Sequence, residues 1–144
     1  MVLLLALIIV GKAQTPLLSE GFEEGIPSTW TVVDADGDSY VWNAVTASSD
    51  HPSHTGSGFV SSRSWINQTI GGVHPDNWLI SPVITIPSTG NYDLTMWVCS
   101  MQDDYPQEHY GVYISTSNNP EDLTSYVSLY ENTLEATHGG VPAQ

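Results

Sequence analysis

The stretch V-D-A-D-G-D-S-Y-V-W, residues 33–42, decides the fold, and it sets the carboxylates of Asp34, Asp36 and Asp38 on alternate residues. Side chains on alternate residues of an extended or turning backbone point toward one side, and Gly37 lets the chain bend sharply between them. Three anions this close repel one another, and no Lys or Arg lies nearby. The pattern predicts a site for Ca²⁺, which takes about 6 to 8 oxygen ligands and tolerates irregular geometry.

This acidic turn differs from the calcium loop of an EF-hand. That loop has Gly at its sixth position and Glu at its twelfth, whereas Ser39 and Val45 stand at those positions here. Any remaining oxygen ligands must therefore come from other parts of the chain. The alternative interpretation is a solvated acidic Asx turn between two strands.

Composition and charge exclude some classes of function. The 144 residues are 40% hydrophobic, include five Trp and seven Tyr, and carry a formal net charge of −14 from two basic and sixteen acidic residues. Binding to a phosphate backbone depends on Lys and Arg, so a nucleic-acid partner is excluded. Cys99 is the single cysteine, so no intrachain disulfide can form. We expect Cys99 to be a buried small apolar residue, and calcium to stabilise an exported chain in place of a disulfide.

The N-terminal segment M-V-L-L-L-A-L-I-I-V-G-K-A has the features of an export signal. Its apolar run is shorter than the roughly 20 residues of a membrane span, and small residues follow it at Gly11 and Ala13, as at a cleavage site. We expect residues 1–13 to be a signal peptide, complete or lacking its charged start, and residues 14–19 to be a linker. The alternative is a buried strand.

From residue 20 onward the sequence alternates short strands and turns, with no sustained helical period. N-Y-D-L-T-M-W-V-C-S, residues 91–100, is the clearest strand pattern, and we expect it to be central and to pair with residues 109–117. Residues 118–126 predict one short helical turn. The fold class predicted for residues 20–144 is all-β: an antiparallel jelly-roll β-sandwich. Because the chain stops in the loop-like H-G-G-V-P-A-Q, we expect the closing C-terminal strands to be missing. The other predicted strands cover residues 29–34, 41–47, 58–62, 65–70, 74–87 and 126–134.

The order of the motifs resembles one known family. G-F-E-E-G-I-P-S-T-W-T-V-V-D-A-D-G-D is followed by a loop rich in Ser and Gly, and then by P-D-N-W-L-I-S-P-V-I, M-W-V-C-S and E-H-Y-G-V-Y-I-S. Over residues 20–134 this order is similar to the cleaved adhesin domain, also called the choice-of-anchor J domain, of gingipain- and haemagglutinin-type secreted Bacteroidetes proteins. The resemblance implies a jelly-roll sandwich that carries structural calcium.

The resemblance also implies a set of calcium ligands, carried over position by position. They are the carboxylates of the F-E-x-G motif and of the acidic turn, main-chain carbonyls beside both, oxygens of the loop before V-S-S, and the Asn of P-D-N-W-L. Family domains continue for about another third of their length to an acidic pair that supplies further ligands, and that pair is absent here, which weakens any site that shares it. In this sequence the ligands fall on Gly21, Glu23, Asp34, Asp36, Asp38, Tyr40, Ser53, Thr55 and Asn77.

Motifs for catalysis are not found. The five histidines lack zinc spacing, and there is no G-x-S-x-G, cysteine-peptidase or phosphate-loop signature. We therefore expect no enzymatic activity and no catalytic residues. The predicted function is a secreted or cell-surface calcium-stabilised adhesin module that binds host or environmental proteins or glycans and belongs to a longer polypeptide.

Two alternatives stay open. One is a carbohydrate-binding accessory module of a secreted hydrolase, because exposed aromatic rings stack on sugars. The other is the adhesin part of a secreted cysteine-peptidase polyprotein. Five tryptophans and several tyrosines exceed what a small core needs, although we expect most of the tryptophans to be core residues.

Overall fold

The structure, a computed structural model, describes residues 15–102 and 104–135. The predicted signal peptide and the end of the chain lie outside these residues. The described part contains eight short β-strands and one 3₁₀ turn (Leu123–Ser125), with no α-helix, which confirms the all-β prediction. The strands are β1 (Thr31–Asp34), β2 (Asn43–Thr46), β3 (Gly58–Ser61), β4 (Trp65–Asn67), β5 (Gly71–Gly72), β6 (Asn77–Ile80), β7 (His109–Ile114) and β8 (Val127–Thr133).

All strand pairs of the described residues are antiparallel, and each pair forms a two-stranded sheet. The pairs β2–β3, β4–β5 and β7–β8 join strands that are neighbours in sequence, whereas β1–β6 brings together two distant segments. In β1–β6, Asp34 lies opposite Asn77 and Val33 opposite Trp78. This register carries the end of β1, and with it the acidic turn, to the start of β6.

The predicted helical turn and the predicted last strand are both present, as the 3₁₀ turn and β8. The prediction for residues 91–100 is wrong: this segment forms no strand beyond one bridging residue at Ser100. Its predicted partner, β7, pairs with β8 instead. Apolar alternation specifies which face of a strand is buried, but a strand forms only where a neighbouring backbone completes its hydrogen bonds. For β7, that backbone is provided by β8.

The apolar interior of the described residues is small. Ile80, 8% exposed, is the one buried large apolar residue there, and Ser100 is the most deeply buried side chain. Trp65 and Trp97 are half exposed, so the expectation that most tryptophans are core residues is not met for these two. Cys99 is also exposed, contrary to prediction, although partial burial raises the pKa of its thiol. In the part of the chain that the structure describes, no helix has the length and hydropathy of a membrane span.

Aromatic contacts connect segments that share no backbone ladder. The ring of Trp78 lies 4.9 Å from that of Tyr113 and 5.4 Å from that of Tyr126, which joins β6 to the β7–β8 hairpin. Phe22 packs edge-on against Trp30 at 5.0 Å. These contacts hold the N-terminal loop against β1, and the sheet that carries the acidic turn against the hairpin.

Candidate metal centre

The acidic turn begins where β1 ends, and it brings its three aspartates together. One carboxylate oxygen from each of Asp34, Asp36 and Asp38 lies within 4.8 Å of the other two. The bend uses two residues with positive φ, Gly37 at 74° and Ser39 at 71°. Gly adopts this conformation without a steric penalty, whereas Ser adopts it at a cost. The structure thus places the three predicted carboxylates in one cluster that could hold a metal ion.

Main-chain N–H groups organise this cluster. Asp34 accepts hydrogen bonds from the amides of Gly37 and Ser39, both at 2.8 Å, and Asp38 accepts one from the amide of Tyr40 at 2.8 Å. The Ser39 amide is the largest cause that lowers the pKa of Asp34, with the amides of Gly37 and Asp38 acting in the same direction. The fold therefore keeps this carboxylate ionised, which is the form that binds a cation.

Asn77, at the start of β6, contacts the residues after the acidic turn from a different segment. Its Nδ2 donates to the main-chain carbonyl of Tyr40 at 2.6 Å and to the hydroxyl of Ser62 at 3.1 Å. The indole Nε1 of Trp42 donates to the Asn77 carbonyl at 3.0 Å, which fixes β6 against the residues after the turn. Asn77 therefore links β6 to Tyr40, which directly follows the turn that carries Asp34, Asp36 and Asp38.

Two buried oxygen atoms of this group have no hydrogen-bond donor. They are Oδ2 of Asp38 and Oδ1 of Asn77. A buried acceptor without a donor costs free energy, because it has lost its bonds to water and gained nothing in return. A hard cation prefers oxygen ligands, so an ion held by the three aspartates would satisfy the Asp38 oxygen. The donor set consists of carboxylate, amide and carbonyl oxygens, so it fits Ca²⁺ in chemistry as well.

Asp76 also belongs to this centre and was not predicted. Its amide donates to Oδ2 of Asp36 at 3.1 Å, its carbonyl accepts the amide of Ala35 at 3.0 Å, and its Oδ1 accepts the indole N–H of Trp78 at 2.8 Å. The P-D-N motif placed Asp76 beside Asn77 in sequence. Its link to the acidic turn follows from the β1–β6 register, which the sequence does not give.

The remaining predicted residues form a second group around Glu23. Oε2 of Glu23 accepts bonds from the amide and the hydroxyl of Ser57, at 2.7 and 2.8 Å, and the Ser57 amide is the largest cause that lowers the Glu23 pKa. Ser53 donates to the Gly56 carbonyl at 2.8 Å, which closes the loop over Glu23. A Cβ on Gly56 would collide with the Glu23 carboxylate, and one on Gly21 would lie 3.4 Å from its Oε1.

The nine predicted ligands therefore divide between two places. Asp34, Asp36, Asp38, Tyr40 and Asn77 meet at the acidic turn, where the unsatisfied oxygens lie. Gly21 lies close to Glu23. Ser53 bonds to the carbonyl of Gly56, the residue whose Cβ would meet Glu23, and the exposed Thr55 lies in the same loop. Glu23 is not part of the cluster of three aspartates. Within the first group, the three aspartates form a cluster that could hold a cation. The Glu23 carboxylate is already satisfied in part by Ser57.

The chain matches a known protein family. A family model described as Cleaved Adhesin Domain matches residues 15–143. Gingipain R1 of Porphyromonas gingivalis is 40% identical over 123 residues, which cover 85% of this chain and 7% of Gingipain R1. Hemagglutinin A of P. gingivalis W83 is 39% identical over 125 residues, 85% of this chain and 6% of that protein. The chain thus spans a small fraction of these relatives.

Solved structures agree with this match. The crystal structure of the K1 cleaved adhesin domain of Lys-gingipain from P. gingivalis W83 superposes with a TM-score of 0.71 at 38% identity, covering 88% of this chain and 73% of K1. The K3 domain of the same protein gives a TM-score of 0.68 at 38% identity, covering 87% and 73%. The resemblance to the cleaved adhesin domain is therefore confirmed in both sequence and fold.

Proposed function

The chain belongs to the cleaved adhesin domain family, and from this premise we propose that it is a non-catalytic, calcium-stabilised adhesin module of a secreted or cell-surface protein. Its partners would be host or environmental proteins or glycans. Membership of an adhesin family supports the binding role, and the far greater length of the gingipain and hemagglutinin relatives supports a place within a longer polypeptide. Any peptidase activity would then belong to a different domain.

The proposed domain organisation follows the sequence expectations. Residues 1–13 would be a signal peptide, residues 14–19 a linker and residues 20–144 a jelly-roll domain. The antiparallel pairing of every described sheet supports a sandwich. The match to the K1 domain, which covers 88% of this chain, supports a single domain over most of its length.

The metal proposal depends on the two buried oxygens without donors, Oδ2 of Asp38 and Oδ1 of Asn77. With Asp34, Asp36 and the Tyr40 carbonyl they would hold Ca²⁺ at the acidic turn. The ion would supply positive charge to neighbouring carboxylates that otherwise repel one another. It would also tie the end of β1 to the start of β6, and so stabilise a fold that has no disulfide. Gly21, Glu23, Ser53 and Thr55 would contribute to a second calcium site, which has weaker support because Ser57 already bonds to Glu23.

Thermal unfolding with and without calcium tests this proposal. A ligand that binds only the native state stabilises it in proportion to the logarithm of its concentration over Kd. We expect excess Ca²⁺ to raise the melting temperature by about 5 to 10 °C over the value in EDTA. Asp38→Asn should remove most of that increase, since it replaces an unsatisfied carboxylate oxygen with a neutral amide.

Without calcium, Asp38→Asn is expected to change the melting temperature in the opposite direction, or not at all. In EDTA, Asp38→Asn should melt at the same temperature as the wild type or higher, because it removes one of three mutually repelling anions. Asp93→Asn, an exposed aspartate outside the cluster, is the matched control and should keep the full response to calcium. Equal melting of the wild type in calcium and in EDTA would contradict the metal proposal.

A carbohydrate-binding accessory module is the second candidate, and exposed aromatic rings favour it. Tyr105 is 73% exposed and Trp65 is 50% exposed. A 2.6 Å hydrogen bond between Ser64 and Glu108 draws the segments that carry these two rings together. A pair of accessible rings can stack on sugar faces. Binding on a glycan array that is lost in the Trp65→Ala, Tyr105→Ala double variant would favour this candidate over a protein-binding adhesin.

A further inference from the structure

The polar face of the β7–β8 hairpin is defined by His109 and Gly111 of β7 and by their partners in β8, Thr133 and Glu131. The ring of Tyr113 lies over Gly111, because a Cβ on Gly111 would collide with the ring and with its hydroxyl. From there the Tyr113 hydroxyl donates to Oε1 of Glu131 at 2.9 Å. The absence of a side chain at position 111 therefore decides where the Tyr113 ring lies.

Two further aromatic rings gather beside Tyr113. The ring of Trp78 lies 4.9 Å from that of Tyr113 at an angle of 44°, and 5.4 Å from that of Tyr126 at an angle of 56°. Rings tilted in this way do not cover each other's faces as parallel stacked rings do. Tyr113 is 38% exposed, and Trp78 and Tyr126 are partly exposed. These three residues, called here the aromatic corner, are therefore reached by solvent.

Carboxylates are attached to two of these rings. Glu131 accepts the hydroxyl of Tyr113, and Oδ1 of Asp76 accepts the indole N–H of Trp78 at 2.8 Å. The hydrogen bond to Glu131 is the largest cause that raises the Tyr113 pKa, and the charge of Asp76 acts in the same direction. Both carboxylates therefore act on the same ring, although they come from different segments of the chain.

Little positive charge stands against these carboxylates. Asp122 adds a third negative charge: burial is the largest cause that raises the Tyr126 pKa, and the charge of Asp122 acts in the same direction. Nε2 of His109 lies 3.9 Å from Oε2 of Glu131, a pair that is ionic only when the histidine is protonated. Arg63 is the single Lys or Arg of the described residues, and it forms no ion pair among them. The carboxylates at the aromatic corner therefore lack a permanently charged partner.

The side chain of arginine matches this combination of rings and negative charge. A guanidinium is planar, always charged and weakly hydrated, so it stacks on aromatic rings and donates paired hydrogen bonds to a carboxylate. A hard metal ion would use the oxygens but gain nothing from the rings. A sugar would stack on a ring, but it is neutral and would leave the negative charge uncompensated.

We propose that the aromatic corner, with the carboxylates of Asp76 and Glu131, binds an arginine side chain presented by a partner protein. The guanidinium stacks on the exposed ring of Tyr113 and bonds to Glu131, and the charge of Asp76 adds to the attraction. The inference rests on the proposed adhesin role and gives it a chemical class of partner, a protein segment with exposed arginine. The net charge of −14 also speeds the encounter with a basic surface.

An NMR titration of the full chain tests the charge requirement. The probes are acetyl-arginine N-methylamide and acetyl-citrulline N-methylamide, whose side chain has a similar shape but no charge. We expect saturable shifts of the Trp78 indole N–H, with a Kd about tenfold lower for the arginine probe. Glu131→Gln should raise that Kd about fivefold or more, because it removes the charge and keeps the shape. Asp93→Asn, at an exposed aspartate that makes none of these contacts, changes the net charge equally and should bind like the wild type.

Ring variants test the stacking requirement. Tyr113→Leu should raise the Kd of the arginine probe about fivefold or more, whereas Tyr113→Phe keeps the ring and should stay within about twofold of the wild type. Tyr92→Leu removes a ring of similar exposure, 44%, from another segment and is the matched control. Titrations in EDTA and in excess calcium should both show binding, so the result does not depend on the metal proposal.

Several results would overturn this inference. They are equal affinity of the wild type for the two probes, an indole N–H of Trp78 that does not shift, and shifts caused by a methyl glucoside but not by arginine. Because the two probes are compared on the wild type, the inference stays testable even if Tyr113→Leu fails to fold. Binding to host proteins or glycans on an array that excess arginine probe leaves unchanged would reject this site and keep the adhesin role. Arginine binding without any binding on the array would contradict the adhesin role alone.

Discussion

At the scale of single residues, the polar face of the β7–β8 hairpin contains a carboxylate with a shifted pKa. Glu131 accepts a hydrogen bond from the Tyr113 hydroxyl at 2.9 Å, and this bond is the largest cause that lowers the Glu131 pKa, with the Ser128 side chain and His109 acting in the same direction. The same bond raises the pKa of Tyr113. The pKa of each of these two groups therefore depends on the other group.

Tyr113→Phe should raise the Glu131 pKa toward the ordinary glutamate value of about 4.3. A carboxyl with a lowered pKa in the folded state stabilises the fold above its unfolded pKa, and that stability is lost as the pH falls through the folded value. Unfolding free energy should therefore fall less steeply in Tyr113→Phe than in the wild type below about pH 4.3. An NMR titration of the Glu131 carboxyl measures the pKa. Tyr105→Phe is the control, and an unchanged Glu131 pKa in Tyr113→Phe would contradict the prediction.

The residues that could be predicted from the sequence are those that act through their side chains. Asp34, Asp36 and Asp38 were expected together because alternate residues share a side, and the structure brings them together. Asp76 and Ser57 were missed because each reaches the predicted carboxylate through its main-chain N–H, with the Ser57 hydroxyl as a second donor. Any residue except proline carries an N–H, so residue type gives no signal there. Only the pairing of distant segments reveals such donors.

At the scale of elements, most strands lie within a few residues of their predicted positions, and the failure at residues 91–100 has a physical cause. Apolar alternation depends only on the sequence of the segment itself, whereas a strand also needs a neighbouring strand to pair with. β7 pairs with β8, although residues 91–100 are nearer to β7 in sequence. Residues 91–99 have no strand partner among the described residues. Their apolar alternation therefore predicted a strand that forms no hydrogen-bonded ladder.

Trp78 should be the residue on which the contact between β6 and the hairpin depends. Its ring packs on Tyr113 and Tyr126, and its N–H donates to Asp76. Trp78→Ala should lower the unfolding free energy by about 2 to 4 kcal/mol, near the lower part of the range for large aromatic residues because the ring is only partly buried. Urea unfolding at fixed calcium measures the loss. Trp65→Ala, at a half-exposed ring, should cost less than about 1 kcal/mol, and similar losses in both variants would contradict the prediction.

At the scale of the whole molecule, charge opposes compactness. Sixteen acidic residues face two basic ones, so the folded chain repels itself over distances comparable with the Debye length. That length is about 30 Å at 0.01 M salt and about 10 Å at 0.1 M. The small apolar interior of the described residues, with Ile80 as its buried large apolar residue, leaves little to offset the repulsion. Cation binding and screening should therefore act on stability in the same direction.

Raising monovalent salt in EDTA should raise the melting temperature, because screening weakens the repulsion among the acidic residues that carry the net charge of −14. The increase between about 0.01 M and 0.3 M NaCl should be larger in EDTA than in excess calcium, since the bound ion would already neutralise part of the acidic turn. Choline chloride is the control for sodium binding to the aspartates, as its cation is too large to enter an oxygen cluster. The same rise in both salts would identify screening as the cause. A melting temperature that stays constant or falls as salt increases would show that self-repulsion does not limit the stability of this chain.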